Sequence, residues 1–521
     1  MATITSGTSA RVVLEKNSQI SITCASSGTI RRTKGASLLD SVAQGATTAI
    51  YGPYTSRINF DISAIGGDIT YTTSAGTGEY SVGAVDDLAA ATGQTPDQVV
   101  AAIKAASYAK GIKTIAICGD SISNNMTAYS AGSYDFTSSH GWAGWAPALA
   151  GVQVKILSQF PGRYALGGLT TATYISGGYL ANVVADTPDI AAVMLGTNDA
   201  IGTQPGIAVT KANLITIWQA MLDANIYVLA YSVIPNSITS GGRAQSNANY
   251  ITATNNFIRE WWQGVSGGRF VDCYSLMCDS TAANSPAKAN VLSDLTHPTT
   301  LGGWYMAQPV APILSELCAA IRLVASSNDY IVGNAASNQI MVNPLMSGTG
   351  GYCANGATTV GGAPSNYNWL GDNGTTTMTV EIGGANSDIG KKAVMTVTVG
   401  GATGFIFAGS NDTITARTVV GNILRGGCRL RVKAGATTAI NSIRFYWQDS
   451  TINSSWNTSQ DAKNLPITTD TDFYILTPET ASVNLGALSL NLRVDFAGAG
   501  ACVIELEQIE LRDLSLANIP I

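Results

Sequence analysis

Two short segments carry the residue types of nucleophilic catalysis. Gly-Asp-Ser at 119–121 places Ser121 on a tight turn after an apolar run, where a serine hydroxyl is exposed as a nucleophile requires. Asp-Leu-Thr-His at 294–297 places Asp294 three residues before His297. A carboxylate at that spacing can hold one ring nitrogen and leave the other free to take a proton from serine. These residues predict a serine hydrolase site.

Asn198, in Gly-Thr-Asn-Asp at 196–199, could stabilise negative charge beside such a serine. The segment follows the apolar run 190–195, and a side-chain amide aimed into a cleft can hold an oxyanion. Asp120 and Thr197, which precede the serine and this asparagine, are candidate substrate-binding residues. Each segment also has a plain structural interpretation, as a capped turn, an Asn/Asp turn or a structural histidine.

Histidine is scarce, since the chain of 521 residues contains only His140 and His297. A metal site built on several histidines is therefore nearly excluded. His297 has a carboxylate partner at the right spacing, whereas His140 lies in a polar segment before Gly-Trp at 141–142. His140 is a candidate for lining the substrate cleft, although a solvent-exposed loop histidine is the simpler interpretation.

Charge and cysteine usage exclude further classes of protein. Only 12% of residues are charged, the net charge is −6 and no basic run occurs, which argues against a nucleic-acid partner. No apolar run approaches the roughly 18 residues of a membrane-spanning helix, so no membrane insertion is expected. The eight cysteines form no CxxC pair, and we expect reduced, buried thiols.

The elements that must position these residues alternate between strand and helix over 112–325. This pattern predicts a parallel sheet covered on both faces, with its ligand site at the carboxyl ends of the strands. The predicted strands are Lys113–Cys118, Val154–Leu157, Ile190–Leu195, Ile226–Ser232 and Arg269–Asp272. The predicted helices are Lys211–Ala224, Asn247–Gln263 and Leu301–Leu323.

Different patterns flank this α/β region. Residues 1–84 alternate polar and apolar residues in short runs, which predicts a small β-module. Residues 85–111 read as a helical connector. Residues 326–521 hold short strand-like runs between Gly/Asn/Thr turns, which predicts a β-sandwich or jelly roll. Its aromatic residues could stack on sugar rings or lie buried between sheets; they are Trp369, Tyr446, Trp447 and Trp456.

Together the segments resemble the SGNH (GDSL-type) hydrolase family over about 112–323. The family's ordered blocks match at 119–121, 196–199 and 294–297, and a remaining block fits Gly-Gly-Leu-Thr-Thr at 167–171. The resemblance implies a flavodoxin-like sheet. It also implies an oxyanion hole formed by the N–H groups of Ser121 and Gly168 and by the Asn198 amide, with Gly167 as the alternative glycine. No metal or cofactor is required, and the segment 124–139 departs from the family as an inserted loop.

The layout of domains suggests a setting. A β-module, a connector, an SGNH domain and a β-sandwich look like a bacteriophage tail spike or tail fibre, which deacetylates capsule or O-antigen. The N-terminal start, MATITSGTSAR, is not an ordinary secretory signal, which favours a virion protein acting extracellularly over a secreted one. The N-terminal module would bind tail or baseplate proteins and the C-terminal sandwich would bind glycan. A homotrimer fits the layout, although no coiled-coil heptads support it.

The leading hypothesis is therefore an O-acetyl esterase of bacterial surface polysaccharide. One alternative is a secreted lipase or general esterase of the same family, which would need an apolar acyl channel beside Ser121. Another is a non-catalytic glycan-binding adhesin. A binding-only domain has no need of a general base such as His297, which argues against the adhesin.

Overall fold

The computed structural model divides the chain into two compact units, residues 1–109 and 110–521. The predicted connector at 85–111, except its last residue, lies outside the described residues, as do His140 and most of the segment 124–139. The structure describes strands between residues 2 and 74, then 111–125, 141–157, 162–202, 204–236, 245–321, 323, 338–341, 343–344, 346, 348–360, 362–372, 375–385, 391–410, 418–449, 452–457, 463–482, 484 and 488–515.

The described residues of the first unit form eight strands in two antiparallel sheets, in the orders β1-β8-β3-β6 and β2-β7-β4-β5. The alternating runs of the sequence lie on β2, β3, β7 and β8. The strands are β1 (Ala2–Ile4), β2 (Ser9–Leu14), β3 (Gln19–Cys24), β4 (Gly28–Lys34), β5 (Ser37–Gln44), β6 (Thr48–Tyr51), β7 (Ile58–Ala64) and β8 (Ile69–Ser74).

The second unit begins with a five-stranded parallel sheet in the order β10-β9-β11-β12-β13. Its central strands are continuous apolar runs because helices cover both faces, and all five residues of β11 and of β12 are buried. This confirms the predicted α/β class. The strands are β9 (Lys113–Gly119), β10 (Val154–Ile156), β11 (Ile190–Met194), β12 (Tyr227–Tyr231) and β13 (Gly268–Val271).

Helices of the α/β domain follow the strands, and none of the described helices is long and apolar enough to cross a membrane. They are α1 (Ser121–Asn125), α2 (Trp142–Ala150), α3 (Thr171–Ser176), α4 (Tyr179–Asp186), α5 (Thr197–Ile201), α6 (Ile207–Asp223), α7 (Gln245–Gln263), α8 (Tyr274–Met277), α9 (Thr300–Ala307) and α10 (Val310–Leu317). The single helix predicted over Leu301–Leu323 is wrong, because the chain forms two helices. Pro309 at the break has no N–H to continue the hydrogen-bond ladder of the first.

The C-terminal region consists of two mixed sheets, in the orders β14-β16-β19-β25-β21-β22 and β15-β17-β18-β26-β20-β23, with β24 paired to β20. Gly426 of the second sheet lies against Phe445 and Leu490 of the first, so the two sheets face each other. The strands are β14 (Gly350–Ala354), β15 (Ala357–Val360), β16 (Ala363–Leu370), β17 (Thr376–Ala385), β18 (Lys391–Val399), β19 (Thr403–Ser410), β20 (Ile423–Val432), β21 (Ala439–Asp449), β22 (Ile452–Asn457), β23 (Thr471–Leu476), β24 (Thr480–Ala481), β25 (Leu488–Ala497) and β26 (Gly500–Asp513).

Helix α2 joins the two parts of the second unit. Its Trp145 is buried, with its ring edge-on to Trp456 of β22 at 5.1 Å and tilted against Phe473 of β23 at 5.9 Å. The indole N–H of Trp456 donates to the Gly144 carbonyl at 3.0 Å. Since β22 and β23 are edge strands of different sheets, α2 covers the edges of both. The α/β domain and the C-terminal region thus share one aromatic core.

Removal of the Trp456 ring should therefore destabilise the second unit. For Trp456→Ala we expect the free energy of unfolding to fall by about 3–5 kcal/mol, because a fully buried ring is lost and a cavity remains. Trp456→Phe is the matched control. It keeps an aromatic ring but loses the hydrogen bond, and should cost clearly less. Urea unfolding checks both; an alanine variant as stable as the parent chain would contradict the shared core.

Candidate active site

The first site residue, Ser121, lies at the carboxyl end of β9, where the chain turns into α1. Gly119 has φ +147°, and a Cβ at this position would lie 2.1 Å from the Met194 carbonyl oxygen of β11, so only glycine fits. The Asp120 carboxylate accepts the Ile122 N–H at 3.0 Å and fixes the turn. The close packing of two strands thus fixes the position of the serine.

Ser121, His297 and Asp294 form a continuous chain of hydrogen bonds. His297 Nε2 lies 2.9 Å from Ser121 Oγ, and His297 Nδ1 lies 2.7 Å from Asp294 Oδ2. Asp294 Oδ1 also accepts the backbone N–H groups of Thr296 at 2.6 Å and of His297 at 2.7 Å. This geometry allows the imidazole to take the serine proton while the carboxylate orients the ring.

The electrostatics of Asp294 suit that role. Partial burial alone would raise its pKa, but hydrogen bonds from the His297 ring and from the backbone of His297 and Thr296 outweigh burial and lower the pKa below its ordinary value. The carboxylate therefore stays ionised at neutral pH and can stabilise a protonated imidazole.

The loop 167–170 and Asn198 lie beside the serine. A Cβ at Gly167 would lie 3.8 Å from Ser121 Cβ, whereas Gly168, with φ +81°, has nothing within 4 Å of that position. Asn198 Nδ2 donates to the Leu169 carbonyl at 3.0 Å and lies 3.4 Å from Asp120 Oδ2. One amide hydrogen is thus committed to the loop, and the second makes a long contact that an oxyanion can replace.

Two carboxylates lie beneath these residues, fully shielded from solvent. Asp199 accepts hydrogen bonds from the Thr171 N–H at 2.9 Å, from the Thr171 hydroxyl at 2.6 Å and from the Thr210 hydroxyl at 3.0 Å. It therefore anchors the start of α3, directly after the glycine loop. Asp120 is 0% and Thr197 is 1% exposed. Neither side chain is therefore open to solvent in this structure, and their role in substrate binding stays a prediction.

The family of this site can be read from its sequence blocks. Residues 117–304 match the model of the GDSL-like Lipase/Acylhydrolase family. The chain contains a GDSL-like lipase/acylhydrolase domain. This confirms the resemblance for the α/β domain. The site residues 121, 198, 294 and 297 all fall within the matched range.

Solved structures similar to the chain cover the same part of it. An acetylxylan esterase from Geobacillus stearothermophilus is 14% identical, with 41% of this chain and 98% of that chain covered, at a TM-score of 0.31. A carbohydrate esterase family 3 protein from Talaromyces cellulolyticus is 20% identical, with 40% and 98% covered, at 0.29. A GDSL-like lipase from Bacteroides thetaiotaomicron is 18% identical, with 41% and 94% covered, at 0.29. No curated protein matches the chain.

Sequence reasoning missed three features of the GDSL-like domain. The anchoring role of Asp199 was not evident, although its place after Asn198 was a signal. Leu166 and Leu295 are 44% and 46% exposed. One immediately precedes the glycine loop and the other lies between Asp294 and His297 in sequence. Large exposed apolar side chains therefore stand next in sequence to site residues, which no motif reveals.

Asp120 makes the stability of the GDSL-like domain depend on pH. Burial raises the pKa of Asp120 from 3.8 to about 7, although the hydrogen bond from the Ile122 N–H and the nearby His297 each lower this pKa. Between about pH 4 and pH 7, the folded chain therefore holds a proton that the unfolded chain has released. The stabilisation that protonated Asp120 contributes to the folded chain is fully present below about pH 4 and is lost as the pH rises to about 7.

Asp120→Asn removes this titration. The quantity to compare is the difference in free energy of unfolding between the parent chain and the variant. We expect this difference to fall by a few kcal/mol from pH 4 to pH 7, at roughly 1.4 kcal/mol per pKa unit. Above pH 7 the difference should stay constant. Urea unfolding at pH 4, 5.5, 7 and 8.5 provides the measurement. A difference independent of pH would show that Asp120 ionises normally.

Proposed function

We propose that the GDSL-like domain is a serine esterase that removes O-acetyl groups from bacterial surface polysaccharide. The main support for an esterase is the continuous set of hydrogen bonds from Ser121 Oγ to His297 at 2.9 Å and from His297 to Asp294 at 2.7 Å. A nucleophile, its general base and an orienting carboxylate in this order are the parts that acyl transfer to serine needs.

The reaction proceeds in two halves. His297 Nε2 takes the Ser121 proton as Oγ attacks the ester carbonyl, and the new C–O bond makes a tetrahedral oxyanion. His297 then returns the proton to the sugar oxygen, which leaves as an alcohol. Water, deprotonated by the same imidazole, attacks the acetyl-enzyme. The imidazole then returns that proton to Ser121 Oγ as the bond to the acetyl group breaks, and acetic acid leaves and ionises to acetate. Asp294 stabilises the protonated ring in both halves.

The oxyanion is held by the backbone N–H of Ser121, by an N–H of the glycine loop and by the Asn198 amide. Within that loop, Gly167 lies against Ser121 and Gly168 fits the family block, so one of these two supplies the donor. The long 3.4 Å contact from Asn198 to Asp120 lets the amide turn to the oxyanion at little cost. Each such donor is worth about 3–4 kcal/mol in comparable sites.

The polysaccharide and the setting rest on the arrangement of the chain. β-rich regions on both sides of an esterase suit an exposed protein that works on a long polymer at a host surface. In this proposal the protein is part of a bacteriophage tail, its N-terminal strands attach to other tail or baseplate proteins, and three copies assemble. The C-terminal sheets form a sandwich that holds the glycan.

A lipase or general esterase is the second candidate. The exposed side chains of Leu166 and Leu295 favour it, because apolar walls bind long acyl chains. The two candidates differ in the acyl length that the site accepts.

Ser121→Ala should lower hydrolysis of p-nitrophenyl acetate by at least about 10³-fold, because Ser121 Oγ is the atom that forms the acyl-enzyme in this mechanism. It should also abolish labelling by a fluorophosphonate probe, followed by intact-protein mass. Ser275→Ala, a change at an exposed serine of α8, is the control and should leave both unchanged. Labelling that persists in Ser121→Ala would place the nucleophile elsewhere.

The substrate class is tested on natural polymers. Acetylated capsule or O-antigen incubated with the parent chain should lose its acetyl signals in the ¹H NMR spectrum, while Ser121→Ala leaves them intact. With p-nitrophenyl esters, kcat/KM should fall from acetate to octanoate. A rise with chain length, together with no acetate release from any acetylated glycan, would establish the lipase instead.

A further inference from the structure

The outward face of the six-stranded sheet carries arginines beside aromatic rings. The three tryptophans considered for sugar stacking are not available there, since Trp369, Trp447 and Trp456 are at most 2% exposed. Tyr446 instead points outward and is partly exposed. We name this surface the arginine–aromatic face, formed by Phe405, Phe407, Arg444, Tyr446, Asn491 and Arg493.

Two like charges lie directly opposite each other on this face. Arg493 of β25 is the register partner of Arg444 of β21, an arrangement that destabilises a sheet unless the charges are compensated. Arg493 is compensated by Asp495, whose carboxylate accepts from Nε at 2.9 Å and from Nη2 at 2.7 Å. Its guanidinium also lies 4.1 Å from the centre of the Phe405 ring.

Arg444 has no such compensation. Its guanidinium lies over the Tyr446 ring, 4.9 Å from the centre, and it forms no ion pair with an acidic residue in the part of the chain that the structure describes. Its Nε is closed off from solvent, again without a hydrogen-bond partner among the described residues. The Arg444 side chain as a whole is partly exposed, so the site holds an oriented cation without an anionic partner among the described residues, and an external acceptor could pair with the part that solvent reaches.

The row of residues next to the arginines has a tyrosine at each end. In register across the sheet it runs Tyr352, Asn368, Gly409, Asn491 and Tyr446. A Cβ at Gly409 would lie 2.6 Å from Asn491 Oδ1 and 2.7 Å from the Phe407 ring, so the middle of the row is closely packed. Four strand spacings separate the two tyrosines, about 19 Å, which is the length of several sugar rings.

The chemistry of this face selects one kind of occupant. Aromatic rings stack on the C–H faces of sugars, amide side chains bond their hydroxyls, and a guanidinium pairs with a carboxylate through two parallel hydrogen bonds. An apolar peptide would leave Arg444 unpaired. A nucleic acid would need several basic residues in a row to neutralise successive phosphates, and the sequence has no basic run.

We propose that the arginine–aromatic face binds a carboxylate-bearing sugar of an acidic polysaccharide, with Arg444 as the anion contact. The inference deepens the proposed function, on which it rests for the polymer as natural substrate, by naming a uronate-type polysaccharide as the polymer that is held. The binding itself is independent of Ser121.

Binding of fully de-esterified polygalacturonate by the full-length chain tests the proposal, because this polymer offers no ester to hydrolyse. Affinity electrophoresis and calorimetry at 0.15 M salt should show binding of polygalacturonate and none of neutral dextran. Arg444→Gln should weaken polygalacturonate binding at least tenfold and leave hydrolysis of p-nitrophenyl acetate unchanged. Arg259→Gln, which removes the same charge from a surface ion pair of α7, is the matched control and should bind like the parent chain.

Each outcome decides the matter. Absence of polygalacturonate binding, equal binding of dextran, or equal affinity of the two glutamine variants overturns the proposal. If thermal unfolding shows that Arg444→Gln is not folded, Arg444→Lys takes its place. Arg444→Lys keeps the charge but loses the planar guanidinium that forms two parallel hydrogen bonds with a carboxylate. If this variant binds polygalacturonate as tightly as the parent chain, the proposal is also overturned. If the parent chain binds polygalacturonate but shows no esterase activity, the proposed function alone is overturned.

Discussion

The close approach of β9 and β11 at their carboxyl ends is the constraint on which the site depends. The Met194 carbonyl oxygen leaves no room for a side chain at Gly119, so the two strands bring Ser121 and Asn198 together from distant parts of the sequence. The contacts of Asn198 with Leu169 and Asp120 then tie the glycine loop to the same edge. A parallel sheet delivers several loops to one place, and here each loop supplies one function.

Burial of acidic groups beneath the serine is the cost of this arrangement. Asp199 is satisfied by three hydrogen bonds and anchors the loop that borders Ser121. Asp120 receives fewer, and burial therefore raises its pKa to about 7. The domain thus gives up stability at neutral pH to keep a polar acceptor under its reactive turn, an instance of strain and desolvation being concentrated at functional sites.

How far the sequence predicts this molecule depends on whether a feature is local. The strands of the parallel sheet and the blocks around Ser121, Asn198 and His297 follow from continuous apolar runs and turn residues. The single helix predicted over Leu301–Leu323 is wrong because apolar periodicity does not take account of the N–H that Pro309 lacks, and the chain forms two helices there. The packing of Trp145 on Trp456 and the pairing of Arg444 with Arg493 join residues far apart in sequence, and no local pattern contains them.

The aromatic core around α2 has a consequence for how such proteins evolve. The family match ends at residue 304, yet the Trp304 ring lies 5.9 Å from that of Phe473 in the C-terminal sheets. The end of the matched range therefore lies within a packed cluster, and α10 of the same α/β domain follows it. A recombination at that point would leave bare indole surface on one partner.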